Sequence, residues 1–395
     1  MNIFLTSTQA AEFLGVSRRT LYAYVSRGWI RSESSSTARE RRYSRLDLER
    51  LRDRKQVRKD PVRNVSHALS WGVPLLETEL TLIDQGRFFY RGLDAVELAR
   101  TKQFFEVVNW FWHRDETELV PARVLPAKTR FVGSEPVSEF QRRLIKLGDA
   151  EPGGYDFSIP NVFVNGWRIL ELFLQCVTGS SNVTLLAGPD DLQRAWATDQ
   201  GALPELLNTA LILSIDHELN VSSFTARVVA SAGSNIYEVV NAAVCAMRGS
   251  RHGGMGSLCY EFLKELETSE SLRPILVRWV RDRGFVPGFG HHLYPAGDIR
   301  ARVLLEMMKQ RKVAEPQLQL IREAAKVLRQ RANIDLALAV LARAFGLPPH
   351  APLSIFTLGR IAGWIGHAVE QRTGGGLIRP RARYIGPLPA KPFSD

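Results

Sequence analysis

The chain has 395 residues, 45% of them hydrophobic, and a formal net charge of +11. That length buries at least one large core and suggests two or three domains, which excludes a disordered chain. Its apolar runs, such as "LALAVLARAFGL", stop short of the roughly 20 residues that span a bilayer, and "MNIFLTSTQAAEFLGV" lacks the basic flank of a signal peptide, so no membrane contact and a cytoplasmic location are expected. Cys176, Cys245 and Cys259 have no CxxC spacing and apolar neighbours, so they read as buried thiols, with neither a disulfide framework nor a metal site expected.

The excess positive charge is uneven. Residues 1–60 carry 14 Lys/Arg against 7 Asp/Glu, which marks the N-terminus as a separate basic module. In "TSTQAAEFLGVSRRTLYAYVSRGWI", Ala10, Ala11, Leu14 and Val16 have helical spacing, Gly15 makes a turn, and Ser17 caps a second helix. That second helix presents Arg18, Arg19, Thr20 and Tyr22 in its first turns, where a recognition helix meets bases and phosphates. Arg41, Arg42 and Tyr43 precede a third helix opening near Ser44. The pattern "GVSxRTLxxYxxxG", then a basic "RRY" and a "DLxxL" helix, resembles the MerR/excisionase type of winged helix-turn-helix over about 55 residues. The resemblance implies DNA as a partner, with Arg18, Arg19, Thr20, Tyr22, Arg41 and Arg42 at the interface; the alternative is a small helical domain with a solvated basic face. Residues 1–55 form this domain, and the charged, Pro61-broken stretch over 56–70 reads as a linker.

From about Trp71 the periodicity is helical, with one exception. "ETELTLIDQGRFFYRG" alternates enough to predict a small hairpin turning at Gln85 and Gly86. Segments such as "GWRILELFLQCV", "NTALILSIDHEL" and "IFTLGRIAGWIGHAVEQ" repeat apolar residues at three and four, so residues 71–395 are read as mainly α-helical, and no Rossmann or P-loop glycine pattern follows a strand. Polar residues break these helices at a few places. His217 sits between Asp216 and Glu218 at a helix end, and His252 follows the helix from Asn235 to Met247 and precedes two glycines. His291 ends "VPGFGH", where glycines free the backbone. Each histidine alone also reads as a core or capping residue. Asp335 lies in the first turn of a helix, where it also serves the helix dipole. Arg300, Arg360 and Arg379 fall in "GDIRARV", "TLGRIAGW" and "GLIRPRARY"; an arginine inside an apolar helix, as Arg360 is, needs an anion.

The ordered set "DHELNVSSFTARVVAS", "HGG", "VPGFGH", "GDIRA", "NID" and "GRIAGWIGHAVEQ…LIRPRARYIG", over residues 71–390, resembles citrate synthase. The resemblance implies a homodimer or higher oligomer of mainly helical subunits, each with a large domain and a small one, roughly 230–335, that closes over substrate. It implies condensation of acetyl-CoA, or a short acyl-CoA, with oxaloacetate, and no cofactor beyond acetyl-CoA as substrate. On that basis Asp335 is the base, His252 the donor to the thioester carbonyl and His291 the donor to the keto oxygen. His217, Arg300, Arg360 and Arg379 hold oxaloacetate, Arg379 reaching across the dimer, and Val286, Pro287, Gly288, Phe289 and Gly290 run along CoA. Arg248 and Arg251, just before His252, are expected to keep it neutral. Three departures bear on acyl preference and CoA affinity: "HGGMG" for "HGGAN", Pro295 in place of a basic residue after "GHxxY", and "NIDLALAV" without the "NVDFYSG" ending. The competing function is a DNA-binding metabolite sensor on the same fold. A sensor needs the arginines but not the base.

Overall fold

The computed structural model describes residues 4–34, 41–44, 47–48, 51, 76–113, 135–156, 158–196, 201–382 and 384–387. They fall into two compact units, one within residues 1–77 and one within 78–395. The expected linker at 56–70 lies outside the described residues.

In the first unit, strand β1 (Phe4–Thr6) leads into α1 (Ser7–Leu14), α2 (Arg18–Ser26), β2 (Ser32–Ser34) and β3 (Arg41–Ser44). Thr6 caps α1 through a reciprocal pair with Gln9, at 3.3 and 3.1 Å. Gly15 ends that helix at φ 58°, and Ser17 caps α2 by accepting Thr20 N at 3.2 Å. The strands make an antiparallel sheet in the order β1-β3-β2, the wing of a helix-turn-helix. Ala10, Leu21, Ile30, Tyr43 and Leu48 form its core. Asp47, Leu48 and Leu51 are helical, and Ser44 Oγ accepts Asp47 N at 3.4 Å, so the third helix opens where expected.

The second unit opens on the expected hairpin, β4 (Thr81–Asp84) and β5 (Arg87–Tyr90), extended by β6 (Leu93–Asp94). Gln85 and Gly86, at φ 46° and 76°, make the two-residue turn whose handedness matches strand twist. The rest is helical: α3 (Ala95–Thr101), α4 (Phe104–His113), α5 (Pro136–Ala150), α6 (Ile159–Thr178), α7 (Gly188–Ala195), α8 (Leu203–Ser214), α9 (Val221–Ser231) and α10 (Ile236–Met247). Then come α11 (Met255–Glu267), α12 (Leu272–Arg283), α13 (Ile299–Gln310), α14 (Glu315–Leu328), α15 (Ile334–Ala344) and α16 (Ala351–Gly374). Asn235 caps α10 in a capping box with Glu238.

Helix α16 is the axis of this unit. It is buried continuously from Ala351 to Ala368, because α6, α8, α9 and α10 pack around it. Gly363 allows the approach of the chain after α8: a Cβ there would lie 2.1 Å from Ile215 O. The neighbouring polar residues Arg360, Trp364 and His367 are thereby pressed against the α8–α9 junction. No described helix is long and apolar enough to cross a membrane. Cys176 and Cys259 are buried, but Cys245 is exposed on α10 beside Gln141 Nε2, which corrects the expectation of three buried thiols.

Candidate active site

The first part of the site comes from the end of α8. Its last carbonyl, Ser214 O, would be an orphan of the helix terminus, and it accepts Arg360 Nε at 2.9 Å. The chain then reverses. Asp216 turns inward, fully buried, and accepts the Thr81 hydroxyl at 2.6 Å and lies 3.1 Å from His367 Nε2. Burial would raise its carboxyl, but His367, Arg360 and Thr81 outweigh that and hold it below the usual range. Glu218 adopts φ 54°, which frees the short turn to reach the Asn220 cap of α9. Between them His217, 6% exposed, packs on Phe88 and points Nε2 at the Tyr294 hydroxyl, 2.8 Å away. Burial, then the charges of Arg300, His291 and Arg360, keep His217 neutral, far below its ordinary range.

His252 lies in the turn between α10 and α11, with Nε2 2.8 Å from Ser222 Oγ. Ser222 accepts Trp364 Nε1–H at 3.0 Å and donates its own proton to Asn220 Oδ1 at 2.8 Å. Asn220 Oδ1 already accepts two backbone amides at the start of α9. Burial, then Arg360 and Arg300, lower His252 to about 3. The expected neutrality holds, but its cause differs: Arg248 and Arg251 are exposed, and Arg248 donates to Gln141 Oε1 at 2.8 Å. Exposed charges are screened by solvent, and the two buried arginines are not.

The loop after α12 carries His291. Gly288 and Gly290 both have positive φ, 82° and 80°. A Cβ on Gly288 would meet Leu336 Cβ at 2.5 Å and Cys259 Sγ at 2.8 Å. The glycines let the loop lie directly on the start of α15: Asn333 N donates to Gly288 O at 2.9 Å, and Gly290 N to Arg331 O at 2.8 Å. His291 is thus fastened beside the helix that bears Asp335. Its Nδ1 accepts Leu293 N at 3.1 Å, so the neutral ring carries its proton on Nε2. Arg300 Nη2 stands 3.4 Å from that Nε2. Two donors facing each other across that gap form a seat for an oxygen acceptor. Burial, then Arg300, lower His291 to about 4 against the opposing charge of Asp298.

Asn333 caps α15 by accepting Asp335 N at 3.1 Å, so the Asp335 carboxylate is not used as a cap. Burial raises Asp335 to about 7; Arg300 and Arg360 pull it down, and Asp298 pushes it up. A carboxylate with that affinity for protons is a competent general base near neutrality.

The three arginines differ. Arg300, 2% exposed, is held by Asp298 through Nε at 3.0 Å and Nη2 at 2.8 Å. Burial alone would weaken its charge, and Asp298 more than offsets this. Asp298 also accepts Ile334 N at 3.1 Å, tying Arg300 to the start of α15. Arg360, 1% exposed, lies over the Phe356 ring, and its Nη2 is buried without a hydrogen-bond partner. Burial lowers it to about 10, so it stays cationic at neutral pH. Arg379 is exposed and takes no part in the hydrogen bonds or ion pairs of this cluster. Of the expected CoA segment, Val286, Gly288 and Phe289 line a cavity of about 350 Å³ with Met255, Leu328 and Gln330. Pro287 is buried, and Gly290 is spent on Arg331.

The sequence reading missed Ser222, Tyr294 and Asp298 as parts of the site. All three stand inside quoted motifs; the partners of Ser222 and Tyr294 lie on other elements, whereas Asp298 pairs with Arg300 two residues on. Among the described residues no cluster of His, Cys, Asp and Glu could hold a metal ion.

In the first unit Arg19, Tyr22, Arg41 and Arg42 are exposed. Arg18 is turned toward the Thr8 hydroxyl, and Thr20 Oγ1 lies 2.9 Å from Ser17 Oγ.

The family described as "Helix-turn-helix domain" matches residues 4–56, and "Citrate synthase, C-terminal domain" matches residues 171–381. "Citrate synthase 2" of Bacillus subtilis is 35% identical over 190 residues, 46% of this chain and 51% of that protein. The chain therefore spans about half the length of the first curated relatives it matches. A 2-methylcitrate synthase of Shewanella oneidensis is 30% identical over 338 residues, covering 76% of this chain and 89% of that protein. In structure, the citrate synthase of Thermoplasma acidophilum, solved with carboxymethyl coenzyme A and oxaloacetate, superposes with a TM-score of 0.63 at 21% identity, over 81% of this chain and 96% of that one. With the family match covering more than half of the chain and the helical architecture shared, the chain belongs to the citrate synthase family.

Proposed function

We propose that the chain condenses a short acyl-CoA with oxaloacetate to give citrate, or 2-methylcitrate from propionyl-CoA, and free CoA. The carrying observation is the buried Arg360 guanidinium with an unpartnered Nη2, set in one cluster with three neutral histidines and a carboxyl raised to about 7. Asp335 removes a proton from the carbon next to the thioester carbonyl. Neutral His252 stabilises the enol oxygen that results, as a hydrogen-bond donor. The enol carbon attacks the keto carbon of oxaloacetate, and His291 Nε2–H receives the developing alkoxide. Water then cleaves the thioester, releasing CoA. Arg360 and Arg300 bind the carboxylates, with His217 beside them and Arg379 contributed by a second copy in a dimer. Val286, Pro287, Gly288, Phe289 and Gly290 follow the CoA chain, and a smaller domain of roughly residues 230–335 closes over both substrates. The names of the relatives support this reading, as does a donor set that needs no metal or cofactor.

The basic N-terminal unit acts as a separable module that binds DNA through Arg18, Arg19, Thr20, Tyr22, Arg41 and Arg42. Three free thiols suit a reducing cytoplasm. The helix-turn-helix is the observation that favours a second reading, a metabolite-sensing DNA-binding regulator. A thiol-release assay with acetyl-CoA, propionyl-CoA and longer acyl-CoAs against oxaloacetate separates them. Turnover supports the enzyme, and ligand-dependent DNA binding without turnover supports the regulator.

A further inference from the structure

Tyr294 is 2% exposed, and its ring lies 4.9 Å from that of His291 and 5.4 Å from that of His217. Its hydroxyl has one hydrogen-bond partner among the described residues, His217 Nε2 at 2.8 Å. A neutral imidazole carries a single proton, so the Tyr294 contact decides which nitrogen holds it. If Nε2 held it, the tyrosine would accept and its own buried O–H would have no acceptor, which leaves a polar group desolvated and unpaired. If the tyrosine donates, every proton at the contact is used, and the imidazole proton moves to Nδ1.

We propose that Tyr294 is a positioning residue that, by donating to Nε2, locks His217 as the Nδ1–H tautomer, whose proton is a hydrogen-bond donor for the oxoacid substrate. The proposal rests on the reading of this pocket as an oxoacid site. It gives the segment "HHLY" a double task. The Leu293 amide fixes His291 with its proton on Nε2, and the Tyr294 hydroxyl fixes His217 with its proton on Nδ1. Two rings with centroids 5.4 Å apart then both offer N–H groups beside Arg300, and an anionic oxygen meets no lone pair from either. Burial and the two buried arginines keep His217 from taking a second proton, so a fixed tautomer is its way to be a donor.

The test is Tyr294→Phe in the full chain. With the hydroxyl gone His217 shifts to the Nε2–H form; if about a tenth of the molecules remain donor-competent, the oxaloacetate Kd by calorimetry and its KM rise roughly tenfold. The KM for acyl-CoA and kcat are expected within about twofold. His217→Asn supplies an amide N–H at the place of Nδ1 that does not depend on tyrosine, so Tyr294→Phe added to it should cost nothing further. Long-range ¹⁵N–¹H spectra of histidine-labelled protein read the tautomer without any ligand, with the His217 signals identified by their loss in His217→Asn. The expected change is from Nδ1-protonated in the parent to Nε2-protonated in Tyr294→Phe. A parent already protonated on Nε2, or an equal loss of oxaloacetate binding from Tyr294→Phe with and without His217→Asn, overturns the proposal. A parent with the stated tautomer that binds no oxaloacetate refutes the oxoacid reading instead.

Discussion

Replacing Arg360 by Met should make the apo-protein no less stable while weakening oxaloacetate binding severely. The side chain is 1% exposed, and burial lowers it from 12.5 to about 10. That depression corresponds to roughly 3 kcal/mol of charge stabilisation lost on folding. Two contacts give some of it back: the Ser214 carbonyl, about 1 kcal/mol, and the Phe356 ring, about 1 kcal/mol. Methionine fills a similar volume, restores the desolvation cost and forfeits the two contacts, a net gain of about 1 kcal/mol, or about 2 °C in Tm for a unit of this size. The substrate carboxylate, by contrast, loses a charge-assisted hydrogen bond of about 1.5–3 kcal/mol, so the oxaloacetate KM rises by roughly 10- to 150-fold. Differential scanning calorimetry without ligand and steady-state thiol release check the two halves. A Tm lowered by several degrees with an unchanged oxaloacetate KM would show that Arg360 is a structural cation and not an anion site.

As the proposed base, Asp335 would act only when ionised, so with its carboxyl at about 7, kcat/KM should fall tenfold per pH unit below neutrality. Asp335→Asn should lower kcat by roughly 10²–10⁴. The same raised carboxyl binds a proton in the folded state that the unfolded chain has given up, so its contribution to stability declines as pH rises from about 4 to 7. Asp335→Asn should therefore melt higher than the parent at pH 8 and match it near pH 4. Gly288→Ala should lower Tm and turnover together, because its Cβ would meet Leu336 Cβ at 2.5 Å in a backbone at φ 82°; normal thermal stability would remove the argument that the loop lies directly on α15. A chain starting near residue 65 should keep condensation and lose DNA retardation in gels, and loss of turnover would refute separable modules.

Much of this architecture was legible because it depends on neighbours along the chain. Gly15 followed by Ser17, the Asn235–Glu238 box and the Gln85–Gly86 turn are local devices, and each appears where its chemistry requires. The histidines were legible for a related reason: His217 and His252 follow helix ends, and His291 stands in a glycine-rich loop. Partners through space were not legible. Ser222 and His252 are 30 residues apart, and Tyr294 and His217 are 77 apart, so no periodicity links them. The neutrality of His252 illustrates the error this invites. Arg248 and Arg251 are near in sequence but exposed, and the charges that act on it come from Arg360 and Arg300. Cys245 follows the same logic, since apolar neighbours in the chain did not bury it.

One physical cause accounts for most of the chemistry at this cluster. Burial opposes charge, so it lowers histidines and raises carboxyls. At His252 and His291 this yields neutral rings at about 3 and 4, the state in which an imidazole donates one hydrogen bond without carrying charge. At Asp335 it yields a base at about 7. The exceptions are Asp216, which His367, Arg360 and Thr81 hold ionised, and Asp298, which stays ionised because Arg300 answers it through two hydrogen bonds. That pairing has two effects. It leaves Arg360, whose nearest counter-charge Asp216 is engaged by Thr81 and His367, as the guanidinium with unspent hydrogen-bonding capacity. It also places a fixed negative charge beside Asp335, adding to burial in strengthening the base. Admitting water would weaken both shifts together, making the histidines easier to protonate and Asp335 a poorer base. A closure that excluded water would favour the donors and the base at the same moment.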